Sequence, residues 1–149
     1  MGVSVYLASP FFSKTENVFK QKIKNHLERL GYNIIDPQTH NLEHGWELPT
    51  HEWGKRTFDN DMQAISKADL IVAIDWGMYS DTGTAWEIGY AYGKQIPAIV
   101  VIPNAVLNQK HSLMVANGST HFITEERFLM AQSTEELFQD HDALGVVVS

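Results

Sequence analysis

Two periods of apolar and polar residues run along this chain, and the switches between them mark its elements. Val3 to Ala8 is a β-branched and aromatic run ended by Ser9-Pro10, which predicts a first strand. Ser13 and Glu16 stand at capping-box spacing. Val18, Phe19, Ile23, Leu27 and Leu30 then recur at helical spacing until Gly31 stops them. Tyr32 to Ile35 predicts a second strand, closed by Asp36-Pro37. Residues 38–53 are polar and irregular, a length that in a compact domain belongs to functional loops. Phe58, Met62 and Ile65 share one face of a helix predicted over Lys55 to Lys67. Leu70 to Asp75 and Ile96 to Ile102 are near-continuous apolar runs, as expected of strands covered on both faces of a parallel sheet. A helix over Thr84 to Lys94 separates them. Beyond Pro103-Asn104 the pattern weakens to a helical turn at Leu113–Ala116, a short strand at His121–Thr124 and a last helix at Thr134–Phe138.

Strands that alternate with helices predict right-handed crossovers and a parallel sheet. The expected fold is α/β: a single-domain three-layer sandwich over residues 1–149, with a mostly parallel five-stranded flavodoxin-like sheet. With 44 % hydrophobic and 19 % charged residues, the chain has the makings of a real core. The net charge of −7, from 11 basic and 18 acidic residues, argues against a nucleic-acid binder. No cysteine is present, which removes disulfides, thiolate metal sites and a cysteine nucleophile. The start, Met1 to Ala8, lacks the features of a signal peptide, and no apolar run is long enough to span a membrane. A soluble, cytoplasmic protein with no membrane partner is expected.

Open α/β sheets bind ligands beyond the carboxyl ends of their strands, so the chemistry is sought there. After the first strand come Ser9, Pro10, Phe11 and Phe12, with Tyr6 still inside it. After the third comes Ser80 to Glu87. From Thr82 to Gly93 every residue is small, apolar or aromatic except Glu87. Its place near a helix start predicts an ionised carboxylate, the form a nucleophile needs. A surface-facing glutamate would need no such reason. Asp81 equally suits a helix cap, Asp61 a solvated face shared with Asp59 and Asn60, and Tyr6 a core aromatic. Together Tyr6, Asp61, Asp81 and Glu87 would supply an attacking carboxylate and an acid for a leaving group, the set that glycosidic chemistry requires. His40 and His44, with His51 downstream, have metal-like spacing only if helical, and Gly45 argues against a helix. Neither GxGxxG nor GxxxxGK[ST] occurs, so dinucleotide and P-loop readings lack their signatures.

Three segments in order carry a family resemblance: Tyr6-Leu7-Ala8-Ser9-Pro10, Asn60-Asp61, and Asp81-Thr82-Gly83-Thr84-Ala85-Trp86-Glu87-Ile88-Gly89-Tyr90-Ala91. They resemble the nucleoside 2-deoxyribosyltransferases over about residues 3–103. The resemblance implies that Glu87 attacks C1′ of a 2′-deoxynucleoside, releases the base and passes the sugar to a second base with retention. It implies that Asp61 and Asp81 contact the base, that Tyr6 orients Glu87, and that Phe11 and Phe12 flank the base. Ser9, Asn60, Gly83, Ser112 and Met114 complete the implied substrate-binding set. No cofactor or metal is implied. The implied partners are 2′-deoxynucleosides, free nucleobases and further copies of the chain, in dimer-based homo-oligomers up to hexamers whose sites are each completed by a residue from a neighbouring subunit. One departure stands out. His111-Ser112-Leu113-Met114 places Ser112 where the family commonly has an Asn that reaches a neighbouring subunit's sugar, and in this it is similar to 2′-deoxynucleoside 5′-phosphate N-hydrolases, whose Ser there helps hold phosphate. Lys14 is the one cation near the first strand to meet a phosphate. The C-terminus, Val146 to Ser149, lacks the terminal aromatic of some transferases. A hydrolase, or a non-catalytic nucleotide-binding domain of the same shape, is the alternative.

Overall fold

The structure is a computed structural model and describes residues 2–39, 47–78, 80–139 and 147–148. The expectations for His40 and His44, and for Val146 and Ser149, lie outside those residues. In chain order the elements are β1 (Ser4–Ala8), α1 (Lys14–Arg29), β2 (Asn33–Ile35), α2 (Thr50–Lys67), β3 (Leu70–Ile74), α3 (Thr82–Gly93) and β4 (Ala98–Ile102). Then come β5 (Lys110–His111), α4 (Leu113–Gly118), β6 (His121–Thr124), α5 (Glu125–Met130), α6 (Thr134–Leu137) and β7 (Val147–Val148). The main sheet runs β2-β1-β3-β4-β6, all parallel, which is the flavodoxin-like order expected.

The two-residue alternation of each strand divides the core into two faces. Val5, Leu7, Val72, Ile74, Ile99, Val101 and Ile123 point to one face, under Phe19, Ile23 and Leu27 of α1, Phe128 of α5 and Leu137 of α6. Tyr6, Ala8, Ile71, Ala73 and Val100 point to the other, under Ile65 of α2 and Ile88 and Ala91 of α3. Every residue of β3 and β4 is buried, which explains their unbroken apolar runs. Removing each such aliphatic side chain from water stabilises the fold by roughly 1.5–3 kcal/mol. The small Ala8, Ala73 and Ala91 on the second face let α3 approach the sheet closely, and this brings Glu87 over Tyr6.

Two helix starts differ from expectation, and one helix was not expected at all. Helix α2 begins at Thr50, after Pro49, so His51 and Trp53 lie on the helix rather than in the preceding loop. A first-turn Glu52 paired with Arg56 at 2.7 Å one turn on supports this earlier start. Helix α3 begins at Thr82 because the Asp81 side chain caps it. Helix α5 was absent from the hydrophobic pattern. It spans fewer than two turns and is held by the Thr124 cap, by its one buried apolar side chain, Phe128, and by the buried Glu125, which pairs with Lys22. Among the described residues, no helix is long and apolar enough to cross a membrane.

Candidate active site

Tyr6 is fully buried in the middle of the sheet, yet it is polar. A buried phenol needs a partner. Its hydroxyl donates to Oε2 of Glu87, which α3 brings down from above. Burial, then the neighbouring charge and hydrogen bond of Glu87, push the Tyr6 hydroxyl well above the usual phenol range, so it stays a donor. The charges of Asp61 and Asp36 act on it in the same direction.

Glu87 is half-buried and lies in the second turn of α3, one turn further from the helix start than expected. Its pKa is raised from 4.5 to about 7. Burial is the largest cause, and the charges of Asp61 and Asp81 add to it, whereas the Tyr6 hydrogen bond pulls the value back down. The expectation that the helix start would keep this carboxylate ionised is therefore corrected. The helix dipole contributes about 0.3–1 kcal/mol and fades beyond the first turn. A rise to about 7 corresponds to about 3 kcal/mol the other way. Desolvation outweighs the dipole, and near neutral pH Glu87 is divided between its two forms.

Asp61, on α2, is half-buried beside the exposed Asp59 and Asn60, and burial raises its pKa. It is thus not part of a solvated face, although its two neighbours are. Asp81 caps α3: the Thr84 N–H and hydroxyl both donate to its Oδ2, at 2.9 and 3.0 Å. Gly83 leaves room for this carboxylate, since a Cβ there would lie 3.1 Å from Asp81 Oδ2. One oxygen of Asp81 therefore holds the helix, and Oδ1 carries no such duty. Asp81 serves as cap and as neighbour of Glu87 at once.

The other expected residues fall into two groups around this centre. At the end of β1, the Ser9 hydroxyl donates to the Pro10 carbonyl at 2.9 Å. Phe11 and Phe12 are exposed with ring centroids 5.1 Å apart, and Lys20 Nζ sits 5.5 Å from the centre of the Phe11 ring. Across the sheet, Ser112 caps α4 and lines a cavity of about 210 Å³ with Asp81, Thr84, Ala85, Ile88 and Val115. Met114 is exposed and lines the neighbouring α3–α4 cleft with Tyr92 instead. Asn60 lines neither cavity. Glu87 faces Tyr6 rather than the Ser112 cavity, and Asp81 is the side chain common to both surroundings. Among the described residues no cluster of three histidine, aspartate or glutamate side chains could hold a metal ion.

Two buried polar contacts at this edge had no sequence signal. Lys20 donates to Asp36 Oδ1 at 2.9 Å, with Lys24 3.5 Å from Oδ2 of the same carboxylate. His111 meets Asp75 at 2.9 Å. Each pair joins residues on different elements, so no local spacing announces it.

The chain matches the family model described as nucleoside 2-deoxyribosyltransferase over residues 5–133. A nucleoside deoxyribosyltransferase of Lactobacillus johnsonii is 28 % identical over 72 residues, 48 % of each chain, so the matched stretch spans about half of that relative. A solved structure of the 2-deoxyribosyltransferase of Bacillus psychrosaccharolyticus superposes with a TM-score of 0.73 at 26 % identity, covering 98 % of both chains. A CMP N-glycosidase of Clostridium botulinum shares the fold, with a TM-score of 0.57 at 17 % identity over 91 % of this chain and 96 % of that one. With the family match running from β1 to the start of α6, and the fold common to these enzymes, the chain belongs to the nucleoside 2-deoxyribosyltransferase family.

Proposed function

We propose that the protein transfers 2-deoxyribose between nucleobases through a covalent sugar–Glu87 intermediate. The observation that carries this reading is the hydrogen bond from Tyr6 to Glu87 Oε2. It fixes one carboxylate oxygen and leaves Oε1 to attack. Glu87 Oε1 bonds to C1′ of the donor as the C1′–N bond to the base breaks. Asp61, whose pKa burial raises, delivers a proton to the departing base. A nitrogen of the second base then attacks C1′ from the face the first base left. It returns its proton to Asp61, and Glu87 is released as carboxylate. Two inversions give retention.

In this reading Asp81 Oδ1 contacts the base, Phe11 and Phe12 flank it, and Ser9, Asn60, Gly83 and Ser112 shape the pocket. No cofactor takes part. Incubation with deoxyinosine and adenine should yield deoxyadenosine and hypoxanthine. Free deoxyribose with no new nucleoside would sink the reading. The role is a cytoplasmic salvage of nucleosides, performed by a dimer-based homo-oligomer. Exposed Met114 and Tyr92, which line a cleft of about 540 Å³, belong to the surface a second copy would cover. Light scattering on the purified protein tests that assembly.

A second reading, hydrolysis of 2′-deoxynucleoside 5′-monophosphates, is favoured by Ser112 in the position where the family commonly has Asn. Against it, the start of α3 is already occupied by the Asp81 carboxylate, which would repel a phosphate. Faster cleavage of a deoxynucleoside monophosphate than of the free nucleoside would support the hydrolase.

A further inference from the structure

His111 is fully buried, and Asp75 nearly so. The proposed chemistry uses neither. His111 Nδ1 lies 2.9 Å from Asp75 Oδ2, and its Nε2 lies 3.0 Å from the Val106 carbonyl. The Val106 carbonyl only accepts, so Nε2 donates to it, and Nδ1 shares the second bond with the Asp75 carboxyl. The second Asp75 oxygen accepts from the Gly77 N–H at 3.0 Å. The ring edge also meets Phe122 of β6, at 5.9 Å between centroids.

These contacts join two segments that are far apart in sequence. One leads from β3 to the Asp81 cap, and the other leads from β4 to Ser112. Two further links run alongside. The Met78 N–H donates to the Lys110 carbonyl at 2.9 Å. Gly77, at φ +102°, admits the second segment so closely that a Cβ there would lie 3.1 Å from Gln109 Oε1 and 3.4 Å from the Lys110 carbonyl. Ser112, directly after His111, is thereby set across one cavity from Asp81.

We propose that the Asp75–His111 pair is a positioning device that fixes the depth of the Ser112 wall and so tunes the binding of the donor nucleoside. It rests on the reading that Ser112 shapes the substrate pocket. The ring is held at two points on opposite edges, so it cannot tilt without losing a bond. Neither residue touches Glu87 in any contact described above, so the effect falls on binding before it falls on bond cleavage.

The test is steady-state transfer between deoxyinosine and adenine by Ser112→Ala, His111→Asn, His111→Gln and Asp75→Asn. An Asn amide can take the place of Nδ1 toward Asp75, whereas a Gln amide reaches toward Val106 instead. His111→Gln should raise the donor KM about fivefold or more with kcat changed less than about threefold, and His111→Asn should restore much of the loss. Ser112→Ala should raise KM in the same sense, and adding His111→Gln to it should bring little further change. Asp75→Asn is nearly isosteric, which guards against misfolding. Its KM rise should match that of His111→Gln, again with kcat changed less than about threefold. If Ser112→Ala raises KM while Asp75 and His111 variants do not, the positioning role is wrong. If Ser112→Ala changes nothing, the reading of Ser112 fails first and the proposal fails with it.

Discussion

The Tyr6 hydroxyl and Glu87 Oε2 are hydrogen-bonded across 81 positions of chain, with the phenol inside the sheet and the carboxylate above it. This bond opposes the burial that raises the Glu87 pKa to about 7. Tyr6→Phe removes the hydroxyl and keeps the ring. The Glu87 pKa should then rise further, and the acid limb of the kcat/KM profile should move to higher pH by about one unit. At pH 7 the rate should fall about tenfold or more if Glu87 attacks as its carboxylate, since one unit of pKa and a lost orienting bond each act against that attack. A profile that superposes on the wild type would show that Tyr6 is only a core aromatic.

Burial of Glu87 also predicts a conflict between stability and activity. Its folded pKa of about 7 lies above the unfolded value of 4.5. Between these values the folded state binds the extra proton, so stability falls as pH rises from about 4.5 through about 7. Above that window the ionised carboxylate costs the fold up to about 3 kcal/mol. Glu87→Gln should therefore be more stable than the wild type at pH 8 and nearly equal to it at pH 4. Denaturant titrations at the two values measure this directly. The same variant should lose more than about a thousandfold in kcat if Glu87 is the nucleophile, because an amide cannot form the intermediate. A loss below about tenfold would remove it from that role.

Gly83 offers a separate check on Asp81. Gly83→Ala places a methyl 3.1 Å from Asp81 Oδ2. Alanine is the better helix former by about 1 kcal/mol, so helix propensity alone would favour the variant. The displaced carboxylate works against this, because a lost cap costs about 0.5–2 kcal/mol. A kcat/KM loss of about tenfold with thermal stability nearly unchanged is expected. Full activity in a folded variant would mean that the position of Asp81 Oδ1 does not matter to the substrate.

The main sheet was legible because β3 and β4 are buried on both faces, and such strands must be apolar throughout. Glu87 was legible because it is the single charge in an otherwise apolar helix. Its ionisation was not. Helix position is written in the sequence, but the desolvation that overrides it depends on how closely α3, through Ala91, sits on Ala8 and Ala73 of the sheet. Asp75, His111 and Lys20 were missed for a related reason. Their partners lie on other elements, 36 residues away for Asp75 and His111, and only the folded topology brings them together. Helix α5 escaped because a single buried apolar residue, Phe128, has no period.

His26 predicts how the fold responds to acid. It is buried on α1 against Phe128, 5.5 Å between ring centroids, and its Nε2 has no hydrogen-bond partner. Burial lowers its pKa below the usual 6.5, and the Arg29 charge adds to this, whereas backbone oxygens of Ala131 and Phe128 oppose it. The folded state thus binds a proton less readily than the unfolded chain. Stability is unaffected by His26 above pH 6.5 and declines as the pH falls below it, until the folded pKa is passed. His26→Leu fits the same apolar site and carries no proton. Its stability at pH 5 should exceed that of the wild type by more than it does at pH 8, with the difference read from urea midpoints at both values. An advantage independent of pH would assign the effect to packing against Phe128 and not to the proton.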